Sequence, residues 1–288
     1  MTVTQTLIET HRARITSLVE QGALFVVNHS GGKDSQATYA IINELVPDHL
    51  IEIVHCDLGE VEWHGTLDHV KANVHDKPVH VTRAVWSDVH PSGKANSAKW
   101  NRDDDGRGKR LLDMVENRGK WPAGPQRFCT SDFKSGPANV VINRLLEERS
   151  DNHRTVVSCF GYRREESDRR AKKEIWMATK NVKGRQWFDF SPILDITTQE
   201  VFEVIEQAGQ QPHQCYLDGN ERMSCVFCIF GSQNDLHNGA VARPELFEKY
   251  VALETSMGFK WTKDETLEEV AGITVEEAWS AALANKAA

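Results

Sequence analysis

The chain is short of several things. It has no apolar run near the roughly 20 residues that a membrane-spanning helix needs, so no membrane role is expected. Basic charge is in deficit: 34 Lys and Arg stand against 42 Asp and Glu, for a net charge of −8. That balance argues against a protein that coats nucleic acid by bulk electrostatics. The start, Met1-Thr2-Val3-Thr4-Gln5-Thr6, lacks a basic stretch followed by an apolar one, so no export signal is expected and a cytoplasmic location is. Internal repeats and low-complexity tracts are absent. Cysteine stops at Cys228. What is present is an ordinary globular balance, 40% apolar and 26% charged, over 288 residues. That length supports one large α/β domain, or a core domain with a small appendage, without disulfide support.

The front of the chain alternates strand and helix. Helices are expected at 2–20, 34–45 and 65–75, and strands at 23–28, 50–56 and 79–85. That order predicts a parallel sheet with right-handed crossovers, with ligands outside the carboxyl ends of its strands. Residues 86–128 break the pattern with Pro91, Gly93, Asp103-Asp104-Asp105-Gly106 and Trp121-Pro122-Ala123-Gly124-Pro125, around a helical piece from Arg110 to Arg118. This reads as an insertion that is either a lid or a surface loop. A helix at 136–149 and a strand at 155–160 follow. Thr197 or Thr198 can cap a helix running to Gln207, with Glu200 completing a capping box. The chain is irregular from 211, and helices are expected at 243–257 and 264–285. Two basic clusters, Arg163 to Lys173 and Lys99 to Arg110, leave nucleic-acid contact open without indicating it.

Ser30-Gly31-Gly32-Lys33-Asp34-Ser35 sits behind the apolar run Ala23 to Val27 and runs into a helix. A strand, a small-residue turn and a helix N-terminus make a phosphate cradle: free N–H groups point out of the turn and the helix dipole favours an anion. Lys33 adds charge, and Ser30 and Ser35 add hydroxyl donors. The spacing is not that of a Walker A loop. A second block, Gly161-Tyr162-Arg163-Arg164-Glu165-Glu166-Ser167-Asp168-Arg169-Arg170, also follows a strand and brings guanidinium forks suited to phosphate or sulfate oxygens. Of six cysteines, Cys56 and Cys159 sit in strand-like runs and read as core. Cys225-Val226-Phe227-Cys228 places two thiolates on one soft metal, and Cys129 and Cys215 can complete four sulfur ligands. Zinc and an iron–sulfur cluster both suit such a set. A redox dithiol is the rival.

Four blocks in order carry a resemblance: S-G-G-K-D-S at 30–35, C-T-x-x-x-K-x-x-P at 129–137, G-x-R-x-x-E-S-x-x-R at 161–170, and Y-x-x-G-x-x-R-x-x-C-x-x-C at 216–228. Together with Asp57-Leu58-Gly59 they resemble the PAPS reductase family of the adenine nucleotide α-hydrolase-like (PP-loop) fold, across about residues 20–232. The resemblance implies a Rossmann-like parallel sheet with helices on both faces, a domain over 1–232 and a helical extension over 233–288. It implies that Ser30, Gly31, Gly32, Lys33, Asp34 and Ser35 bind nucleotide phosphates, with Asp57 and Gly59 near the adenosine. Gly161, Arg163, Glu166 and Ser167 join that binding set, and Lys33, Asp34, Arg163 and Arg170 carry the chemistry. Cys129, Cys225 and Cys228 would ligate a [4Fe-4S] cluster, with Cys215 the candidate fourth ligand and Zn2+ the alternative metal.

The sequence departs from the reductases of this family. They use a nucleophilic cysteine near the C-terminus, and no cysteine follows Cys228. Cluster-bearing adenylyl-sulfate reductases carry paired cysteines, whereas Cys129 is flanked by Phe128 and Thr130. The phosphate loop here is intact. The expectation is therefore an enzyme that takes ATP and Mg2+, adenylates a substrate with pyrophosphate release and serves iron–sulfur-dependent sulfur transfer. A cysteine desulfurase fits as sulfur donor, and a homodimer is compatible. The alternatives are a sulfonucleotide reductase and a non-catalytic nucleotide-binding subunit.

Overall fold

A computed structural model describes residues 1–85, 108–124, 126–149, 154–182 and 184–287. The expected lid at 86–128 falls largely on 86–107, outside the described residues. In chain order the elements are α1 (Val3–Glu20), β1 (Leu24–Asn28), α2 (Lys33–Leu45), β2 (Ile51–Cys56), α3 (Thr66–Ala72), β3 (Val79–Thr82), α4 (Leu111–Arg118), α5 (Phe128–Thr130), α6 (Gly136–Glu148), β4 (Thr155–Cys159), α7 (Asp168–Ala171), β5 (Trp176–Val182), β6 (Arg185–Phe190), α8 (Thr198–Gln207), α9 (Gln214–Leu217), α10 (Gln233–Ala242), α11 (Pro244–Met257), α12 (Leu267–Ala271) and α13 (Val275–Ala287). They fall into two compact units. The first holds Met1–His55, Gly65–Thr82 and Ala138–His213; the second holds Cys56–His64, Arg83–Pro137 and Gln214–Ala288.

The first unit is built on a six-stranded sheet in the order β3-β2-β1-β4-β6-β5. Strand β1 runs parallel to both β2 and β4, and β6 runs parallel to β4. Leu24, Phe25, Val26 and Val27 are all fully buried, as a central strand covered on both faces requires. Burying each such side chain contributes about 1.5–3 kcal/mol. One core joins Phe25, Val27, Ile53 and Val157 to Ile15 of α1 and Tyr39 of α2, and another joins Ala37 and Ile41 of α2 to Val201 and Ile205 of α8. The fold is the expected Rossmann-like α/β one, but the sheet is not wholly parallel. Strand β5 pairs antiparallel with β6 through a tight hairpin, and neither strand was expected. Polar and charged residues interrupt both, so no apolar run announces them.

The second unit is helical. Helices α10, α11, α12 and α13 bury Leu236, Phe247, Tyr250, Leu267 and Ala278 in one core with Phe128, Phe133, Cys215 and Phe227. Trp121 stacks on Tyr250 at 5.4 Å and meets Trp261 edge-on at 4.9 Å. The buried carboxylate of Glu254 accepts the Leu267 N–H at 3.0 Å and the Trp261 N–H, tying the loop after α11 to the start of α12. Helix α10 was not expected, although Ser232 caps it with Asp235. The single helix expected at 264–285 is two. Thr266 with Glu269 starts α12, and Thr274 with Glu277 restarts the chain as α13 after Gly272. The strand expected to reach residue 85 stops at Thr82, and Val85 bridges Gly108 instead. Among the described residues no helix is long and apolar enough to cross a membrane.

Candidate functional site

The sheet order makes the carboxyl end of β1 a switch point: the chain proceeds from β1 to β2 on one side and later enters β4 on the other. Two sequence blocks emerge there. After β1, Gly31 turns with φ +85°, a conformation that suits glycine, and Gly32 is the extended cap of α2. Ser35 Oγ donates to the Gly32 carbonyl at 2.8 Å and accepts the Ser30 N–H at 3.2 Å, closing the loop on itself. The first N–H groups of a helix have no carbonyl a turn before them; here the Ser35 N–H turns back to the Gly32 carbonyl at 3.0 Å.

After β4, Gly161 lies against the loop so closely that an added Cβ would sit 2.5 Å from the Asp34 carbonyl oxygen. Arg163, 3% exposed, donates Nε–H to Asp34 Oδ1 at 2.6 Å. Lys33, 4% exposed, meets the other oxygen, Oδ2, at 3.3 Å. One carboxylate thus holds two buried cations at the start of α2. Arg163 also reaches Glu165 and Thr198 Oγ1, the latter at 3.0 Å. Glu165 in turn takes the Thr198 hydroxyl at 2.6 Å and N–H at 3.0 Å. The Thr198 hydrogen bond, followed by Arg163, holds the Glu165 carboxyl below the usual range. Glu166 accepts the Arg163 backbone N–H at 2.8 Å and pairs with Arg170, whose guanidinium lies 4.7 Å over the Tyr162 ring. Ser167 Oγ accepts the Arg170 N–H at 3.3 Å.

The structure therefore brings together residues 30–35 with Gly161, Arg163, Glu166, Ser167 and Arg170 in the first unit. Sequence reasoning missed four neighbours. Glu165 and Thr198 complete the arginine's cage. His29 and His69 grip the loop: His29 Nδ1 accepts the Gly31 N–H at 3.1 Å, and the His69 ring donates to the Gly31 carbonyl. His29 stands directly beside the motif, where its position is the signal; His69 lies 40 positions after it in α3, and nothing local marks it.

Asp57 and Gly59 belong to the second unit. Asp57 accepts the Gly59 N–H at 2.7 Å and holds Arg83 at 2.6 Å. Burial, then the Asp57 charge, pushes the nearby Glu62 up to about 7.

Cys129, Cys215, Cys225 and Cys228 all lie in the second unit. Cys225 and Cys228 share a hydrogen bond that keeps Cys225 protonated and favours the Cys228 thiolate, aided by the Phe230 N–H and the Arg222 charge. Burial raises the Cys129 thiol, and the charge of Cys228 raises it further. Cys215 is 1% exposed within the apolar core. The donor chemistry of Cys129, Cys225 and Cys228 is that of a soft metal or cluster. Yet among the described residues no group of three or more His, Cys, Asp or Glu is gathered so as to hold a metal ion.

A mostly parallel sheet whose switch-point loop runs into a helix N-terminus, faced by a buried arginine, defines a Rossmann-like α/β protein. The chain belongs to the family described as the Phosphoadenosine phosphosulfate reductase domain, which matches residues 24–230. It is 27% identical over 183 residues to an uncharacterized 37.8 kDa protein in the gpa 5′ region of Escherichia phage 186, covering 59% of this chain and 53% of that protein. The chain thus spans about half the length of this curated relative. It is also similar to a crystal structure of phosphoadenylyl-sulfate (PAPS) reductase from Candida auris in complex with phosphate. There the TM-score is 0.40 and the identity 14%, over 69% of this chain and 80% of that one.

Proposed function

We propose that this member of the PAPS reductase family binds ATP at residues 30–35 and activates a substrate by adenylation, releasing pyrophosphate. The observation that carries the reading is the intact loop with Lys33, Asp34 and Arg163 locked at the start of α2. In this reading the polyphosphate of Mg-ATP would lie at the N-terminus of α2, where the helix dipole favours an anion, and Lys33 would neutralise the β/γ end. Asp34 would hold Mg2+, and Arg163 beside it would meet the charge that develops on phosphorus. A substrate oxygen attacks the α-phosphorus, the bond to the β-phosphate oxygen breaks, and pyrophosphate leaves with its electron pair. Cys129, Cys225 and Cys228, with Cys215, would hold a [4Fe-4S] cluster that supplies sulfur chemistry to the activated product. A cysteine desulfurase would be the matching sulfur donor.

A second reading is favoured by the family itself: reduction of a sulfonucleotide, with sulfite as product. A third, a nucleotide-binding subunit without turnover, predicts ATP binding alone. One experiment separates them. Anaerobically purified protein is incubated with Mg-ATP, or with PAPS and a thiol donor, and pyrophosphate and sulfite are measured. The proposal expects pyrophosphate from ATP, lost in Asp34→Asn. Sulfite from PAPS without pyrophosphate from ATP supports the reductase and overturns it. A brown protein that bleaches in Cys225→Ala and Cys129→Ala, but not in Cys56→Ala, is expected for the cluster. A colourless protein holding about one zinc overturns that part alone.

A further inference from the structure

The phosphate loop is held from beneath by histidine. Gly31 has φ +85°, and both polar groups of that residue are engaged. Its N–H donates to His29 Nδ1 at 3.1 Å, and its carbonyl accepts from the His69 ring. The Gly31 amide is therefore turned towards His29, at the residue that precedes the cap of α2. We infer that His29 is a positioning residue for the phosphate loop: its Nδ1 lone pair fixes the Gly31 peptide, and with it the path by which the loop enters α2. The inference rests on the reading of residues 30–35 as a nucleotide-phosphate site.

The chemistry fixes the tautomer. A backbone N–H can only donate, so Nδ1 must be the bare nitrogen and Nε2 must carry the proton. The ring is 1% exposed, and Nε2 has no hydrogen-bond partner among the described residues. The groups packed against the ring allow this state. Ser35 Oγ is 3.5 Å from Nδ1 but spends its proton on the Gly32 carbonyl. Tyr39 of α2 lies with ring centroids 6.3 Å apart. His55 of β2 donates to the His29 carbonyl at 2.9 Å, which anchors the backbone at the same residue. Burial, then His55 and His69, lowers the imidazole well below its usual range, so the ring is neutral and the acceptor present at neutral pH. A protonated ring would present N–H to N–H and release the turn.

Side-chain geometry supplies the test. Asparagine places its amide oxygen near the position of His Nδ1, glutamine reaches the position of Nε2, and phenylalanine keeps the ring and removes the acceptor. Amide hydrogen exchange over residues 28–36 and Mg-ATP titration are measured on wild type, His29→Phe, His29→Asn and His29→Gln, with thermal melting as the folding check. Loss of one hydrogen bond predicts roughly tenfold faster Gly31 exchange and roughly tenfold weaker ATP binding in His29→Phe and His29→Gln. His29→Asn stays within about twofold of wild type in both. If His29→Phe does not fold, the comparison of His29→Asn with His29→Gln decides. Exchange unchanged in the acceptor-less variants overturns the inference, and so does equal damage in all three, which would make ring packing the cause. Faster exchange with unchanged ATP affinity overturns it too. If wild type binds no ATP while the exchange pattern holds, the positioning role stands and the ATP reading falls.

Discussion

Gly161 is where β4 hands the chain to the site, and it has no room to spare. A Cβ there would meet the Asp34 carbonyl oxygen at 2.5 Å and its carbon at 2.6 Å, both backbone atoms that cannot swing aside. Gly161→Ala should cost about 1–3 kcal/mol through overpacking and displace Asp34 from Arg163. Melting temperature and nucleotide affinity should fall together, whereas Gly124→Ala, with nothing within 4 Å, should change neither. Two histidines, His29 buried and His69 half-buried, set a second expectation at this scale. Burial lowers His29 from 6.5 to about 3 and His69 to about 4. Both folded-state values lie below the unfolded one, so the unfolded chain takes up the protons first as pH falls. The stability owed to the neutral rings is intact above pH 6.5 and drains away as pH falls towards about 4 and then about 3. His29 alone should tilt stability by about 1.4 kcal/mol per pH unit in that window. Urea midpoints compared between neutral and mildly acidic pH should show a shallower slope in His29→Asn.

Helix α8 begins with two threonines that do different jobs. Thr197 caps it: Thr197 Oγ1 accepts the Glu200 N–H at 3.3 Å, and Glu200 accepts the Thr197 N–H at 2.7 Å. Thr198 instead gives its hydroxyl to Glu165 and accepts from Arg163. Thr197→Ala should lower stability by about 1 kcal/mol and leave nucleotide affinity alone, read by urea denaturation. Thr198→Ala should loosen Arg163 and weaken nucleotide binding more than it lowers stability, read by titration. The sequence carried the first fact and not the second. A Thr-x-x-Glu box is a local signal, legible in four consecutive residues, and α1, α2, β1, β2, β4 and the loop between β1 and α2 were legible in the same local way. Thr198 meets Glu165 across 33 positions, a partnership made by the sheet. The β5–β6 hairpin was hidden for a related reason: polar and charged residues break up both strands, and the pairing of β6 with β4 supplies what local propensity does not. The boxes at Thr266 and Thr274 were visible, and reading them would have split the last helix correctly.

The two compact units are interleaved along the chain, which crosses between them after residues 55, 64, 82, 137 and 213. Residues 233–288 hold Leu236, Phe247, Tyr250, Trp261 and Leu267, which share one buried core with Phe128, Phe133 and Phe227, against which Cys129 and Cys225 pack. A chain ending at residue 232 should therefore lose the packing around Cys129, Cys225 and Cys228. Titration with a thiol reagent should find these cysteines reacting fast in the truncated protein and slowly in the full one.

Trp121 and Trp261 offer an optical handle on that core. With centroids 4.9 Å apart and planes inclined at 62°, their ultraviolet transition dipoles are close and oblique enough to couple. Such a pair absorbs left- and right-handed light unequally, as two bands of opposite sign. The doublet belongs to the helical unit, so its disappearance on heating would time the melting of the cysteine-bearing core, while the backbone signal of the six strands times the melting of the sheet.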